Sequence, residues 1–205
     1  SANPIIGHRA LDSDAEKVAR LGAELIRGFY DAGVIPVGKH FPGHGDTSQD
    51  SHLTLPRVER TRESLEQIEL TPFRHAIGLG LEVLMTAHVV YPAWDADRPA
   101  TFSPTIMNDV LRNSLGFDGL IMSDDLEMQA IEEEVESVPE LGTRAGVDIF
   151  LICHDLEKVT TLQNAMIRDT ESGNIATIDQ SLARIFKVKQ RLQVPADTLL
   201  NFESI

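Results

Sequence analysis

Cysteine, basic residues and long apolar runs are all scarce in this sequence of 205 residues. The one cysteine, Cys153, excludes an internal disulfide, so cysteine usage requires no oxidising compartment. Lysine and arginine together number 18 against 32 aspartates and glutamates, which leaves a net charge of −14. Such an excess of negative charge disfavours nucleic acids and anionic membranes as partners. No apolar run approaches the ~18 residues of a membrane span, and no signal peptide is visible.

Hydrophobic residues make up 42% of the chain, which is typical of a globular protein. The length suits a single domain over residues 1–205. No low-complexity linker or internal repeat interrupts it. Cys153 lies in the apolar run "VDIFLICH", so we expect its thiol to be buried in the core.

Short apolar runs alternate with helical patterns along the whole chain. Four runs that are apolar on both faces predict strands of a parallel sheet near residues 33–41, 82–92, 119–126 and 146–155. Amphipathic segments predict helices near residues 12–33, 61–80, 103–116, 156–170 and 178–192. This alternation predicts an α/β fold in which helices cover the sheet.

Polar and ionisable residues follow each predicted strand at its carboxyl end. They are Lys39 and His40, Thr86 and His88, the triplet Ser123-Asp124-Asp125, and His154 with Asp155. Both (β/α)8 barrels and doubly wound sheets bind ligands at this edge, so the pattern predicts a site without deciding between the two folds. The loop "PGHGDT" has neither the GxGxxG nor the GxxxxGK[ST] spacing, and we therefore expect no nucleotide site.

The stretch "KHFPGHGDTSQDSH", residues 39–52, concentrates three histidines in a loop rich in turn-forming residues. The residues alone leave three interpretations open: a metal site, a catalytic site assisted by histidine, or a polar loop without chemistry. The ligands available to a metal site are His40, His44, His52, Asp46 and Asp50, with His88 and His154 elsewhere. Their spacing matches no zinc signature such as HExxH.

Three segments, in chain order, carry a resemblance to a known family: "GKHFPGHGDTSQDSHLTLP", "MTAHVVYPA" and "GLIMSDDLEMQAI". They resemble the second half of the catalytic barrel of glycoside hydrolase family 3 β-N-acetylglucosaminidases. "NPIIGHRAL" and "AGVDIFLICH" are similar to flanking segments of that family. The resemblance covers nearly the whole chain and implies a (β/α)8 fold of the TIM-barrel type. Only about four of the eight βα units are visible, so we expect a partial barrel without its N-terminal strands.

Asp124 and Asp125 are candidates for the nucleophile that a retaining glycosidase needs on one side of the anomeric carbon. Asp124 follows the strand "GLIM", which would hold its carboxylate rigidly at the active edge. By sequence alone either aspartate could instead cap a helix. The family motif favours Asp124 as the nucleophile, and we expect Asp125 mainly to cap a helix that begins near Leu126.

The resemblance places a histidine, His52, in the role of proton donor, paired with Asp50. A carboxylate two residues away in a loop can hold one ring nitrogen and leave the other facing the substrate. Histidine's unperturbed pKa of ~6.5 suits both donating and accepting a proton near neutrality. An isolated DxH is more typical of a surface turn, so this assignment depends on the surrounding motif.

Five further residues are candidates for substrate binding: Arg9, Lys39, His40, His88 and Met128. The resemblance implies that Arg9, Lys39 and His40 bind sugar hydroxyls. His88 could line the same pocket or pack behind it. Met128 could form an apolar wall under the sugar or belong to the core.

The resemblance implies a retaining exo-acting β-N-acetylglucosaminidase that removes terminal GlcNAc from muropeptides derived from peptidoglycan. Its partner would be a small carbohydrate, with no nucleic acid, membrane or cofactor. We expect a bacterial cytoplasmic protein, with secretion left open because the segment before Ser1 is not known. Two alternatives are a metal-dependent hydrolase that uses the His/Asp loop and a non-catalytic, sugar-binding half-barrel.

Overall fold

A four-stranded parallel sheet forms the centre of the computed structural model, which describes residues 6–47, 55–131 and 133–192. The strands are β1 (Val37–Phe41), β2 (Val83–Thr86), β3 (Val90–Tyr91), β4 (Asp95–Pro99), β5 (Leu120–Asp125) and β6 (Ile149–Leu151). The sheet has the order β1-β2-β5-β6, and each neighbouring pair is parallel. The α/β fold with four parallel strands, predicted from the four apolar runs, is confirmed.

The order of these strands across the sheet follows their order in the chain, without a reversal. A doubly wound sheet reverses at a switch point, whereas successive strands of a (β/α)8 barrel lie side by side. The topology therefore matches an arc of a barrel rather than a doubly wound sheet. Within the described residues the sheet is open at β1 and β6, and closure into a complete barrel stays a prediction.

Helices flank the strands in the sequence. They are α1 (Ala15–Asp31), α2 (Arg62–Gln67), α3 (Leu70–Gly78), α4 (Val138–Ala145), α5 (Leu156–Glu171) and α6 (Ile178–Lys189), with a π-type helix at Thr105–Ser114. Gly7–Arg9 and Ala100–Phe102 form short 3-10 helices. The helix predicted over 61–80 is divided between α2 and α3. Pro72 has no N–H to continue the hydrogen bonds of α2 and is tolerated only in the first turn of α3. None of the described helices is long and apolar enough to cross a membrane.

The main core combines buried side chains of the sheet, the π-type helix, α1 and α3. Phe41, Leu84 and Ile121 from three neighbouring strands are fully buried, as are Ile106 and Met107 from that helix. Full burial of one such side chain contributes roughly 1.5–3 kcal/mol relative to an exposed one. Because Phe41 directly follows His40, this packing also holds the carboxyl end of β1 in place.

The strand predicted over 82–92 is shorter than expected, because β2 ends at Thr86. Beyond it, the carbonyl of Val89 accepts from the N–H of Ala100 at 2.8 Å, and the N–H of Val90 donates to the carbonyl of Pro56 at 2.9 Å. The chain therefore leaves the sheet to pair elsewhere, and β3 continues into an antiparallel hairpin with β4. This departure lets His88 turn toward the end of β5.

Candidate active site

The carboxyl ends of β1 and β5 bring His40 and Asp124 together. Nε2 of His40 lies 3.4 Å from Oδ2 of Asp124, and the side chain of Asp124 is 20% exposed. The peptide bonds Lys39–His40 and Phe41–Pro42 are both cis. A buried histidine and a partly accessible carboxylate thus face one another at one edge of the sheet, although they are 84 positions apart in the sequence and β2 lies between their strands.

His40 is neutral at physiological pH. Burial lowers its pKa to about 4, and the positive charges of Lys39 and Arg9 also lower it, while the Asp124 carboxylate raises it only in part. The contact with Asp124 therefore joins a neutral imidazole to a carboxylate. Arg9 and Lys39, two of the predicted sugar-binding residues, are thus near enough to His40 for their charges to act on it.

Asp124 is held by its own strand. Its Oδ1 accepts the N–H of Asp125 at 2.9 Å. Its Oδ2 is directed toward His40. One oxygen is thus held by the backbone, while the other faces the imidazole of His40.

His88 is fully buried behind this pair. Its Nε2 lies 3.1 Å from the carbonyl oxygen of Asp125, and its Nδ1 lies 2.8 Å from Oγ1 of Thr101. A carbonyl only accepts, so Nε2 carries the proton. Burial lowers the pKa of His88, so the ring is neutral. Its Nδ1 then accepts a hydrogen bond from the Thr101 hydroxyl. Oγ1 of Thr101 also lies 2.8 Å from Oγ1 of Thr86.

The hydrogen-bond chain from Thr86 through Thr101 to His88 fixes the backbone that carries the two aspartates. The geometry favours this positioning role for His88 over the predicted contact with a sugar. Thr101 was not among the predicted residues. It belongs to the short 3-10 helix Ala100–Phe102, eight positions beyond the end of the motif "MTAHVVYPA", and nothing in its sequence context marks it.

The expected role of Asp125 as a helix cap is wrong. Residues 126–130 form turns, and the next helix in the described chain is α4, which begins at Val138. Asp125 Oδ1 accepts instead from the N–H of Glu127 at 3.1 Å, so the carboxylate caps a turn. Helix propensity does not explain this outcome, because all the residues at 126–130 are good helix formers. The turn is held instead by tertiary contacts, since the Glu127 carboxylate accepts the N–H groups of Cys153, His154 and Asp155 beyond β6.

The glycine-containing loop after β1 is packed tightly against the hairpin and α3. Tyr91 donates its hydroxyl hydrogen bond to the carbonyl of Gly43 at 2.5 Å. Gly43 has φ +143°, and a Cβ there would lie 2.9 Å from the side chain of Glu69. His44 is buried, with Nδ1 2.9 Å from Thr47 Oγ1. This contact gives His44 a structural role in the loop.

The predicted acid/base pair Asp50 and His52 lies outside the described residues. The chain is described up to Thr47 and again from Leu55. Next to these ends, Arg60 Nε lies 2.6 Å from Asp46 Oδ2. Met128, the predicted apolar wall, is partly buried in the turn after β5.

The histidines and carboxylates of the predicted metal site do not gather into a ligand set among the described residues. His40, His44, Asp46 and His88 are absent from the one group there whose ligand atoms converge, which is Asp125, Glu127 and His154.

Cys153, which was expected to be buried in the core, is exposed. The expectation of a core thiol is wrong because β6 ends at Leu151 and Cys153 lies beyond it.

Sequence comparison with known proteins identifies the family of this chain. Residues 1–188 match the model of the glycosyl hydrolase family 3 N terminal domain. The chain belongs to this family. A β-hexosaminidase from Alkalilimnicola ehrlichii is 45% identical over 157 residues, covering 76% of this chain and 45% of the relative.

Solved structures of the family are similar over nearly the whole chain. The glycoside hydrolase family 3 β-N-acetylglucosaminidase from Paenibacillus sp. str. FPU-7 superposes with a TM-score of 0.91 at 42% identity, covering 98% of this chain and 41% of that one. A β-glucoside phosphorylase superposes with a TM-score of 0.82 at 25% identity, over 89% of this chain and 35% of that one. The chain spans about half the length, or less, of these family members.

Proposed function

We propose that the protein is a retaining exo-acting β-N-acetylglucosaminidase with Asp124 as its nucleophile. The observation that carries this proposal is the placement of Asp124 at the carboxyl end of β5, with one oxygen held by a backbone N–H and the other directed toward His40. A carboxylate that is fixed but not saturated by donors suits attack on an anomeric carbon. Family membership supports the same assignment.

In the proposed mechanism Asp124 Oδ2 attacks the anomeric carbon and displaces the aglycone, which forms a glycosyl-enzyme ester. His52 protonates the departing oxygen, and Asp50 holds the imidazole in the productive orientation. His52 then takes a proton from water, which attacks the anomeric carbon and releases Asp124. The roles of His52 and Asp50 rest on the family motif.

Substrate binding is proposed for the groups around this carboxylate. Arg9 and Lys39 are exposed and act electrostatically on His40, so they are suited to bind sugar hydroxyls beside it. Neutral His40 can donate or accept a hydrogen bond without competing for the charge of Asp124. We propose terminal GlcNAc of a cytoplasmic muropeptide as the substrate, with Met128 under the sugar ring.

Turnover of an aryl N-acetylglucosaminide, followed by NMR of the first-formed sugar, tests this function. We expect the β-anomer as first product, and a glycosyl adduct on the peptide that contains Asp124 in rapidly quenched samples. An α-anomer formed first, or an adduct on another carboxylate, would contradict the proposal. Running the reaction in phosphate separates hydrolysis from phosphorolysis, since a sugar 1-phosphate would then replace the free sugar.

A sugar-binding role without catalysis is the second candidate, because the sheet formed by the described residues is open at β1 and β6. The two candidates differ in one measurement. Binding of GlcNAc without any turnover of the aryl glycoside would favour the non-catalytic role.

A further inference from the structure

Three side chains that can bind a metal ion converge where β5 and β6 end. Nδ1 of His154 lies 3.2 Å from Oε2 of Glu127 and 3.6 Å from Oδ2 of Asp125. All three ligand atoms lie within 4.8 Å of one another. Tetrahedral ligands at about 2.1 Å from a zinc ion are separated from each other by about 3.4 Å. The three groups therefore need only small movements to bind one ion.

Backbone donors hold the Glu127 carboxylate in position. Its Oε2 accepts the N–H groups of Cys153 at 2.9 Å and His154 at 2.6 Å, and its Oε1 accepts the N–H of Asp155 at 3.1 Å. Burial raises the pKa of Glu127, but the hydrogen bonds from His154 and Cys153 outweigh it and leave that pKa lowered. Such outer hydrogen bonds orient ligands in metal sites.

Asp125 supplies the second carboxylate of this group, and His154 forms its solvent-exposed side. Asp125 Oδ1 accepts the N–H of Glu127, and Oδ2 lies 3.6 Å from Nδ1 of His154. The side chain of His154 is 79% exposed, whereas those of Asp125 and Glu127 are 18% and 12% exposed. An ion can thus enter from solvent and meet two carboxylates that are already fixed.

The imidazole of His154 faces two carboxylates, whose combined negative charge it cannot balance. Even when protonated, His154 carries one positive charge against the carboxylates of Asp125 and Glu127, and Asp124 lies next to them. Lys158 Nζ is 3.8 Å from Glu127 Oε1 and offsets part of this charge from outside the triad. A divalent cation in place of the proton on Nδ1 would balance both carboxylates.

We propose that Asp125, Glu127 and His154 bind a divalent transition-metal ion, with Zn²⁺ as the reference ion, at the carboxyl ends of β5 and β6. The nitrogen and oxygen donors suit Zn²⁺, Co²⁺ or Ni²⁺ better than Mg²⁺ or Ca²⁺, which prefer oxygen alone. The ion would join the turn after β5 to the turn after β6. This site shares only His154 with the ligands considered for a metal site in the loop that contains His44, and it does not depend on the proposed function.

The experiment uses the 205-residue protein without a histidine tag. Co²⁺ is titrated at neutral pH and followed by its visible absorption bands, and Zn²⁺ affinity is then measured by displacement of Co²⁺ and by calorimetry. We expect one ion per chain, and dissociation constants at least tenfold larger in His154→Ala and in Glu127→Gln. Mg²⁺ and Ca²⁺ at the same concentrations should not displace Co²⁺.

His75→Ala is the matched control, because His75 is an exposed histidine on α3, away from the cluster. It should bind both ions as the unaltered protein does. Far-ultraviolet circular dichroism checks that each variant is folded. Should Glu127→Gln unfold, His154→Ala still decides, since its side chain is mostly exposed. Unchanged affinity in His154→Ala, or no Co²⁺ binding by the unaltered protein, would overturn the proposal.

Discussion

Two aspartates at opposite ends of the same sheet differ in how completely their carboxylates are paired. Asp148 lies just before β6, and its side chain is fully buried. It accepts hydrogen bonds from Arg112 at 3.1 Å, Arg184 at 3.0 Å, Ser181 at 2.7 Å and the N–H of Ile121 at 2.9 Å. Asp124, at the carboxyl end of β5, accepts one backbone N–H and keeps 20% of its side chain exposed.

The comparison separates a structural carboxylate from the one proposed as the nucleophile. Four donors, two of them cationic, occupy the oxygens of Asp148 and tie α6 and the π-type helix to the sheet. Burial lowers the pKa of Arg112 to about 10, with Arg184 contributing, which still leaves the guanidinium charged at neutral pH. Among the described residues, Oδ2 of Asp124 faces the neutral imidazole of His40, which is the basis for proposing it as the oxygen that bonds to a substrate.

The largest expected effect follows removal of the available carboxylate. Asp124→Ala should lower kcat by ~10³-fold or more, because it removes covalent catalysis. Its melting temperature should change little. Asp125→Ala is the neighbouring control: it should cost less activity and more stability, since Asp125 caps the turn after β5. A nearly normal Asp124→Ala beside an inactive Asp125→Ala would reverse the assignment.

Removal of the saturated carboxylate should act on stability instead. Asp148→Ala leaves Arg112 and Arg184 without their partner and should lower the free energy of unfolding by about 3–5 kcal/mol. Urea unfolding measures this loss. Asp118→Ala is the control, because Asp118 pairs with Lys187 while its side chain is 90% exposed. A loss in Asp148→Ala no larger than that in Asp118→Ala would break the comparison.

The proposed acid/base role of His52 predicts that the rate depends on the leaving group. His52→Ala should cripple hydrolysis of natural glycosides but leave much faster glycosylation with an activated aryl leaving group, which departs without protonation. Glycosyl-enzyme should then accumulate, and azide, which needs no deprotonation, should restore turnover. Asp50→Ala should behave similarly but more mildly. Equal losses on both substrates without azide rescue would leave only a shaping role for this loop.

The smallest expected effect is a pH dependence caused by His40. Its folded pKa is about 4, below the unfolded value of ~6.5, so the unfolded chain binds more protons between these values. Stability should therefore be fully present above pH ~6.5 and fall as the pH drops toward about 4. Urea unfolding of His40→Gln should show a shallower decline than the unaltered protein, whereas exposed His75→Gln should not. Identical slopes for His40→Gln and the unaltered protein would contradict this.

Much of the sheet could be predicted from local pattern. Each of the four parallel strands came from a short run that is apolar on both faces, and the burial of Leu84 and Ile121 gives the reason. The carboxyl-end location of Asp124 followed from the same runs. The expected helix near Leu126 failed, because an aspartate caps a turn as readily as a helix. The expected burial of Cys153 was wrong, because apolar neighbours in the sequence do not show where a strand ends.

The sequence by itself determined the α/β class, the order of the strands in the chain, and the edge at which ionisable residues would meet, since periodicity and strand direction are local properties. Only the tertiary structure decided which aspartate is saturated and which is available. Asp148 precedes β6 and Asp124 lies near the end of β5, and the side chains that contact them come from segments distant in sequence. The burial that makes His40 neutral, and the convergence of His154 with Asp125 and Glu127, likewise arise from packing between strands. Desolvation and pairing depend on these long-range contacts, and no local pattern encodes them.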